Sequence, residues 1–395
     1  MKHILLCLTL LCSMPIFGIC ITHGPYICDM DSVSATIVWI TDKPGLSWLE
    51  LAGPDDLHFY GTARRKVYDT FNGRKMICDS VHRVRVMGLT PNTTYRYRVI
   101  TKELMTWKVN DLITYGALAS NNIWRTPPYH FRTFPASHRD LRFLVLNDIH
   151  ERADYMRKLC RDIDFSKLDF VVLNGDMSNS VESQDQICKG YLDTCVAMFA
   201  KYVPIFFNRG NHETRGRFAD YLYRYFPTST GKYYGLRNIC GFNFLFIDSG
   251  EDKPDDDIEY CEISDFDNYR MEQVQWLRGL QRQGVFGREP LIVFSHIPPT
   301  LQKWHGPINL KQTILPVLNE LNVSVMLSGH LHKYAFQEAD DIIHFPNLAN
   351  SNMNYLLCQT RDDVIDIDCA GLNGKDRHHF SFALRQGGDG SSADN

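Results

Sequence analysis

The sequence predicts an all-β sandwich followed by an α/β layered domain. Three observations carry this. From Thr22 to Thr133, short segments alternate apolar and polar residues and are rich in β-branched and aromatic side chains. After residue 140 the texture changes to continuous apolar runs, each ending in polar residues. Between those runs lie stretches with helical spacing of apolar positions. A period of two suits strands buried on one face, whereas unbroken apolar runs suit strands covered on both. A chain of 395 residues has room for both units.

Residues 1–20 read as a secretory signal peptide. Lys2 gives a positive start, Ile4 to Leu11 is apolar, and the run is too short to span a bilayer. A buried N-terminal helix is the alternative. Cys20 is a candidate lipid anchor, although bulky Phe17 and Ile19 fit an acylation site poorly. The expected destination is export, periplasmic or secreted, and no later run is long enough for a transmembrane helix. Removing this segment leaves nine of 12 cysteines, an odd number that implies at least one free thiol. None forms a C-x-x-C pair, so buried inert thiols are expected.

Residues 21–134 form the expected sandwich. Ser34 to Thr41, Val81 to Val86 and Thr94 to Val99 alternate as strands, with a turn over Gly88 to Thr94. Pro135 to Asp140 is a polar connector. The α/β domain is expected over 140–384. Its apolar runs begin at Phe143, Phe170, Pro204, Leu291 and Val323. Helical patterns fall at Tyr155–Arg161, Ile187–Lys201 and Met271–Gln281. Such alternation places functional groups at the carboxyl ends of strands. Lys253 to Asp267 is an acidic insertion, read as a solvated loop around Asp255, Asp256 and Asp257. Residues 385–395 read as a disordered tail.

Composition excludes several classes. The 42 basic and 46 acidic residues give a net charge of −4, so no basic field supports coating of nucleic acid. With 26 Gly and 17 Pro the chain is neither collagen-like nor broadly disordered.

The five apolar runs end in chemistry. They lead to Asp148-Ile149-His150, Gly175-Asp176, Gly210-Asn211-His212-Glu213, His296, and Gly329-His330-Leu331-His332. Each alone is a weak signal. Together they offer carboxylate, amide and imidazole donors suited to two borderline divalent metals.

This ordered set resembles the calcineurin-like metallophosphoesterase superfamily over about Leu141 to Ile343. The resemblance implies that Asp148, His150, Asp176 and His332 hold one metal. It implies that Asp176, Asn211, His296 and His330 hold the other, with Asp176 bridging. Val38-Trp39, Gly88 to Val99 and Phe131-Arg132-Thr133 are similar to a fibronectin type III domain of the kind found ahead of purple-acid-phosphatase-like enzymes. That module is expected as a packing platform or as a glycan- or partner-binding unit. Two positions depart from the purple acid phosphatase pattern. His150 stands where that family has Gly, and Asn179 stands where it has a metal-bound Tyr. The expected cofactor is therefore a colourless divalent pair of manganese, ferrous iron or zinc.

The implied reaction is hydrolysis of a small phosphorylated substrate, a phosphomonoester or phosphodiester, by a hydroxide that two metals activate. His212 is the expected catalytic residue, protonating or stabilising the leaving oxygen, and Glu213 an orienting partner. Asn179, Arg215, Arg217, Trp304 and His305 are candidate substrate contacts, with Arg215 a possible bidentate phosphate clamp. The competing function is an extracellular binding protein, with the β-sandwich recognising a partner or glycan. Loss of metal donors would mark it, yet all seven are present.

Overall fold

The computed structural model describes residues 18–385, apart from 54–55, 57–58, 60–62, 109–111, 288 and 362. The signal-peptide reading of the first 17 residues and the tail from 386 lie outside the described residues.

Five strands lead to the candidate donors: β1 (Arg142–Leu146), β2 (Phe170–Asn174), β3 (Ile205–Asn208), β4 (Leu291–Ser295) and β5 (Val323–Ser328). All but a few of their residues are buried, as unbroken apolar runs require. β1, β2 and β3 pair in parallel inside a nine-stranded sheet. β4 and β5 pair in parallel inside a six-stranded sheet. The two sheets face each other across an aromatic core. Phe143 stacks on Phe170 with ring centroids 4.7 Å apart and meets Phe244 edge-on at 5.6 Å. The outer face of the nine-stranded sheet is covered by helical turns between Ala153 and Ala200, which bury Met156, Ile187 and Phe199. The outer face of the six-stranded sheet is covered by α1 (Phe266–Arg282) and α2 (His305–Leu318), through Leu277, Leu310 and Ile314. Helices, sheet, sheet, helices is the layered architecture expected, with every apolar face covered.

The N-terminal region is mostly β. Strands Ile21–Cys28, Ser34–Thr41 and Val81–Met87 face a five-stranded sheet that includes Gly45–Ala52, Thr94–Trp107 and Tyr129–Arg132. Trp39, fully buried, donates its indole N–H to Thr101 Oγ1 at 2.8 Å at the centre of that core. The structure adds something the sequence did not announce. Strand Ile21–Cys28 continues the nine-stranded sheet, pairing with β3 through Cys28 and Ile205. The seam is tied further by Tyr26 Oη to the Tyr225 carbonyl (2.6 Å), Tyr97 Oη to the Lys201 carbonyl (2.8 Å) and Arg237 to Asp29 (2.6 Å). The β region is therefore part of the framework behind the donor-bearing strands.

Strand Phe242–Ile247 and the C-terminal meander Asn354–Ala383 were not among the expected runs. The first is as apolar as the other five and ends in Asp248-Ser249-Gly250. Cysteines 28, 160, 188, 195, 240, 358 and 369 are buried thiols, and no disulfide occurs among the described residues.

Candidate metal centre

The loops after the five strands converge on one point. Their backbone is bent to do so. Asp148, His150, Asp176, His330 and His332 all have φ between +49° and +69°. Non-glycine residues rarely adopt this left-handed conformation, and such strain persists where the surroundings enforce it, often at functional sites. The flanking glycines act in two ways. Gly175 itself has φ +87°, whereas Gly329 is needed for closeness: a Cβ there would lie 2.8 Å from Asp148 Oδ2.

Two donor groups result. Atoms from Asp148, His150, Asp176 and His332 lie within 4.8 Å of one another, and so do atoms from Asp176, His296 and His330. Asp176 belongs to both. Asn211 points its carboxamide at the second group, with Oδ1 3.1 Å from His330 Nδ1. That oxygen also faces the Asp176 carboxylate at 3.3 Å. All seven expected donors are thus brought together.

The donor atoms fit a metal pair. Asp148 Oδ1 is buried without a hydrogen bond, although imidazole Nε2 atoms of His332, His150 and His296 stand 3.3, 3.7 and 3.9 Å away. His296 Nδ1 lies 2.8 Å from the Asn174 carbonyl, which accepts its proton. Nε2 is thereby turned toward the Asp176 carboxylate, 3.0 Å away, and has no hydrogen bond of its own. His150 and His332 face each other through Nε2 atoms 2.9 Å apart. Buried polar atoms are ordinarily satisfied, so Asp148 Oδ1, His296 Nε2 and His330 Nε2, all without a hydrogen bond, mark a place for cations. The electrostatics agree. Burial resists protonation of His296, yet Asp176 and Asp148 hold it up at about 10. For His330 burial dominates, helped by His296, and brings it down to about 4. Burial works against ionisation of Asp148, but His150 and His332 draw its carboxyl far below the ordinary range.

Glu213 sits beneath the centre, fully buried. It accepts backbone N–H bonds from Asp176 (2.8 Å), Ser178 (2.8 Å) and Gly210 (2.9 Å). One side chain therefore clamps the β2 and β3 loops together, the orienting part expected of it. Burial, followed by repulsion from Asp176, raises its carboxyl to about 7. Next to it, the backbone N–H of His212 donates to Asp176 Oδ1 at 2.9 Å. The His212 ring, partly open to solvent, has Nδ1 2.6 Å from the Asn179 carbonyl and Nε2 3.9 Å from Asp176 Oδ2.

The substrate-contact expectations fare differently. Asn179 is exposed at the rim, where its carbonyl orients His212. Arg215 requires a correction. Its Nε and one terminal nitrogen are bound by Glu251, both at 2.8 Å, so that edge is not open to a phosphate. Arg217 is exposed, near Glu182. Trp304 is exposed at the start of α2, and His305 is tied to Asp267 at 2.8 Å. The acidic insertion is also less solvated than expected. Asp255 accepts from the backbone N–H groups of Phe266 and Asp267 at the start of α1, at 2.9 and 3.0 Å. Sequence reasoning missed Glu251 and Asp252. The latter's Oδ2 stands 3.8 Å from His330 Nε2. Their signal was the apolar strand Phe242–Ile247 just before them.

Residues 141–334 match the family model described as calcineurin-like phosphoesterase. This segment of the chain is similar to that family. Over most of its length the chain is similar in fold to purple acid phosphatase PPD1 from yellow lupin (Lupinus luteus). The TM-score is 0.62 at 12% identity, covering 91% of this chain and 74% of that one. Vacuolar protein sorting 29 from Cryptosporidium parvum overlaps at a TM-score of 0.31, with 14% identity, 62% of this chain and 98% of that one. The phosphoesterase YfcE from E. coli overlaps at 0.29, with 11% identity, 62% of this chain and 100% of that one. Scores this low carry no argument about the whole chain. No curated protein matches by sequence. Among the described residues no helix is long and apolar enough to cross a membrane.

Proposed function

We propose that the protein hydrolyses small phosphate esters with two divalent cations, held by Asp148, His150, Asp176 and His332 on one side and by Asp176, Asn211, His296 and His330 on the other. The observation that carries this is Asp176 shared between two donor groups, in which Asp148 Oδ1, His296 Nε2 and His330 Nε2 lack hydrogen bonds. When bound, such a pair neutralises charge on phosphate oxygens and makes a water acidic enough to ionise near neutrality. The chain's own residues do the rest. Asp176, its two oxygens approached by the His212 N–H and by His296, fixes the spacing between the two donor groups. Glu213 holds both loops in register. With Nδ1 donating to the Asn179 carbonyl, His212 presents Nε2 toward the centre. Protonated there, it delivers a proton to the departing alkoxide. Arg215, gripped by Glu251, supports the Asn211 loop and is not assigned a phosphate contact.

The metals proposed are manganese, ferrous iron or zinc, and the holoprotein is expected to lack the purple colour, because Asn179 cannot supply a phenolate. The N-terminal region is proposed to be fibronectin type III-like and to act as a platform, and residues 1–20 to direct export. Elemental analysis together with release of nitrophenol from p-nitrophenyl phosphate and bis-p-nitrophenyl phosphate tests the central claim. Chelation should abolish release and one of the three metals should restore it. Hydrolysis that survives complete metal removal would overturn the proposal.

A further inference from the structure

A large cavity lies away from the metal centre. It has a volume of about 960 Å³ and lies at the other end of the parallel strands. Arg142, Asp169 and Pro204, beside the starts of β1, β2 and β3, line it. Asp148 follows the opposite end of β1, roughly 20 Å away at about 3.3 Å per residue. The cleft runs along the seam between the β region and the phosphoesterase domain, with the connector from Thr133 to Asp140 forming one wall.

Its charges are unevenly matched. Arg132, Arg139, Arg142 and Lys167 face Asp140 and Asp169. Asp169 is taken by Arg139 and by the Arg142 backbone N–H at 2.8 Å. Lys167 has Asp164 at 3.3 Å. Among the described residues, Arg132 and Arg142 make no ion pair through their guanidinium groups. On strand Tyr129–Arg132, buried Phe131 points to the core, so His130 and Arg132 share the opposite face. Part of the remaining lining is aromatic. Phe165 and Phe199 stack at 4.7 Å, and Tyr202 meets the His130 ring at 4.9 Å.

We propose that this cleft is a second ligand site, for a small organic anion with a planar apolar body. Guanidinium forks bind two oxygens at once of anions such as carboxylate, sulfonate and phosphate. Low-dielectric walls strengthen their field. The volume falls in the range of small-molecule sites, and a few polar groups among aromatic walls are their usual lining. A ligand here touches both halves of the molecule, so binding stabilises the seam.

The test uses 1-naphthalenesulfonate, which has no scissile phosphate bond, titrated calorimetrically into the metal-loaded full chain. Methanesulfonate lacks the ring and 1-naphthalenemethanol lacks the charge. The expected result is saturable one-to-one binding with a rise in Tm, at least tenfold tighter than for either control. Arg142→Ala and Arg132→Ala should each weaken it at least tenfold while turnover of p-nitrophenyl phosphate stays within twofold of normal. Arg132 is an exposed strand residue, so its variant remains decisive if Arg142→Ala does not fold. Inorganic phosphate, at levels that inhibit turnover, should not displace the probe. Binding that is absent, insensitive to Arg132→Ala, matched by the uncharged control, or displaced by phosphate at the metal centre would overturn the proposal.

Discussion

Two buried histidines in this molecule have opposite surroundings. His82, in the β region, lies against Trp39 and shares a 2.7 Å hydrogen bond between its Nε2 and the Thr41 hydroxyl. Burial pushes it down to about 3, so it is neutral in the folded protein. His296, in the phosphoesterase domain, is as deeply buried, but its Nε2 faces two carboxylates without a hydrogen bond. Neighbouring charge holds it up at about 10 despite burial. The first histidine completes a core. The second belongs to a set of polar atoms that the protein alone leaves incomplete. Burial by itself does not distinguish a structural imidazole from a metal donor; the partners at its free nitrogen do.

The largest effect is expected at Asp176. Asp176→Asn removes charge from the one residue shared by both donor groups. Turnover should fall to background and elemental analysis should find both metals depleted, while the β region stays folded by circular dichroism. Two metals retained with normal activity would remove Asp176 from its role.

His212→Ala comes next. A general acid contributes about 10²–10⁴-fold, and only where the leaving oxygen needs a proton. Alkyl phosphates should therefore lose far more kcat/KM than nitrophenyl phosphates, with metals still bound. Equal losses would assign His212 to phosphate-oxygen stabilisation instead.

Glu213→Gln tests the clamp beneath the donors. Gln keeps one acceptor oxygen where three backbone N–H groups now converge. Groups that orient metal ligands typically matter by about 10–100-fold in metal affinity or activity. A chelator competition should show weakened metal binding of that order. Unchanged affinity would reduce Glu213 to loop packing.

The smallest effect sharpens the other side of the contrast. His82 has a folded value of about 3 against an ordinary 6.5. Between these values the unfolded chain binds more protons than the folded one, so stability rises with pH across that window and is lost as pH falls below about 6.5. At pH 5 the loss from this group is on the order of 2 kcal/mol. Denaturant titrations of wild type and His82→Gln, followed by Trp fluorescence at pH 5 and pH 7, should show a flatter pH dependence in the variant. Parallel slopes would contradict a buried neutral His82.

Much of the centre was legible in the chain. The seven donors follow five buried strands within a few residues, so composition and strand periodicity, which are local, placed all seven at strand ends. Family resemblance then grouped them. The β texture before residue 134 was legible for the same reason: alternation is written into neighbouring residues. The tertiary structure alone decided whatever depends on which loops meet. It turned Arg215 away from a phosphate and onto Glu251, a residue 36 positions further on, in a loop that the sequence reading had passed over. It made the β region an extension of the donor-bearing nine-stranded sheet through a single pairing, Cys28 with Ile205. It opened a basic, aromatic cleft at the far end of the same strands from segments that share no motif. A side chain's type fixes what it can bind. Which partner occupies it depends on distances between segments remote in sequence, and only the packed fold sets those.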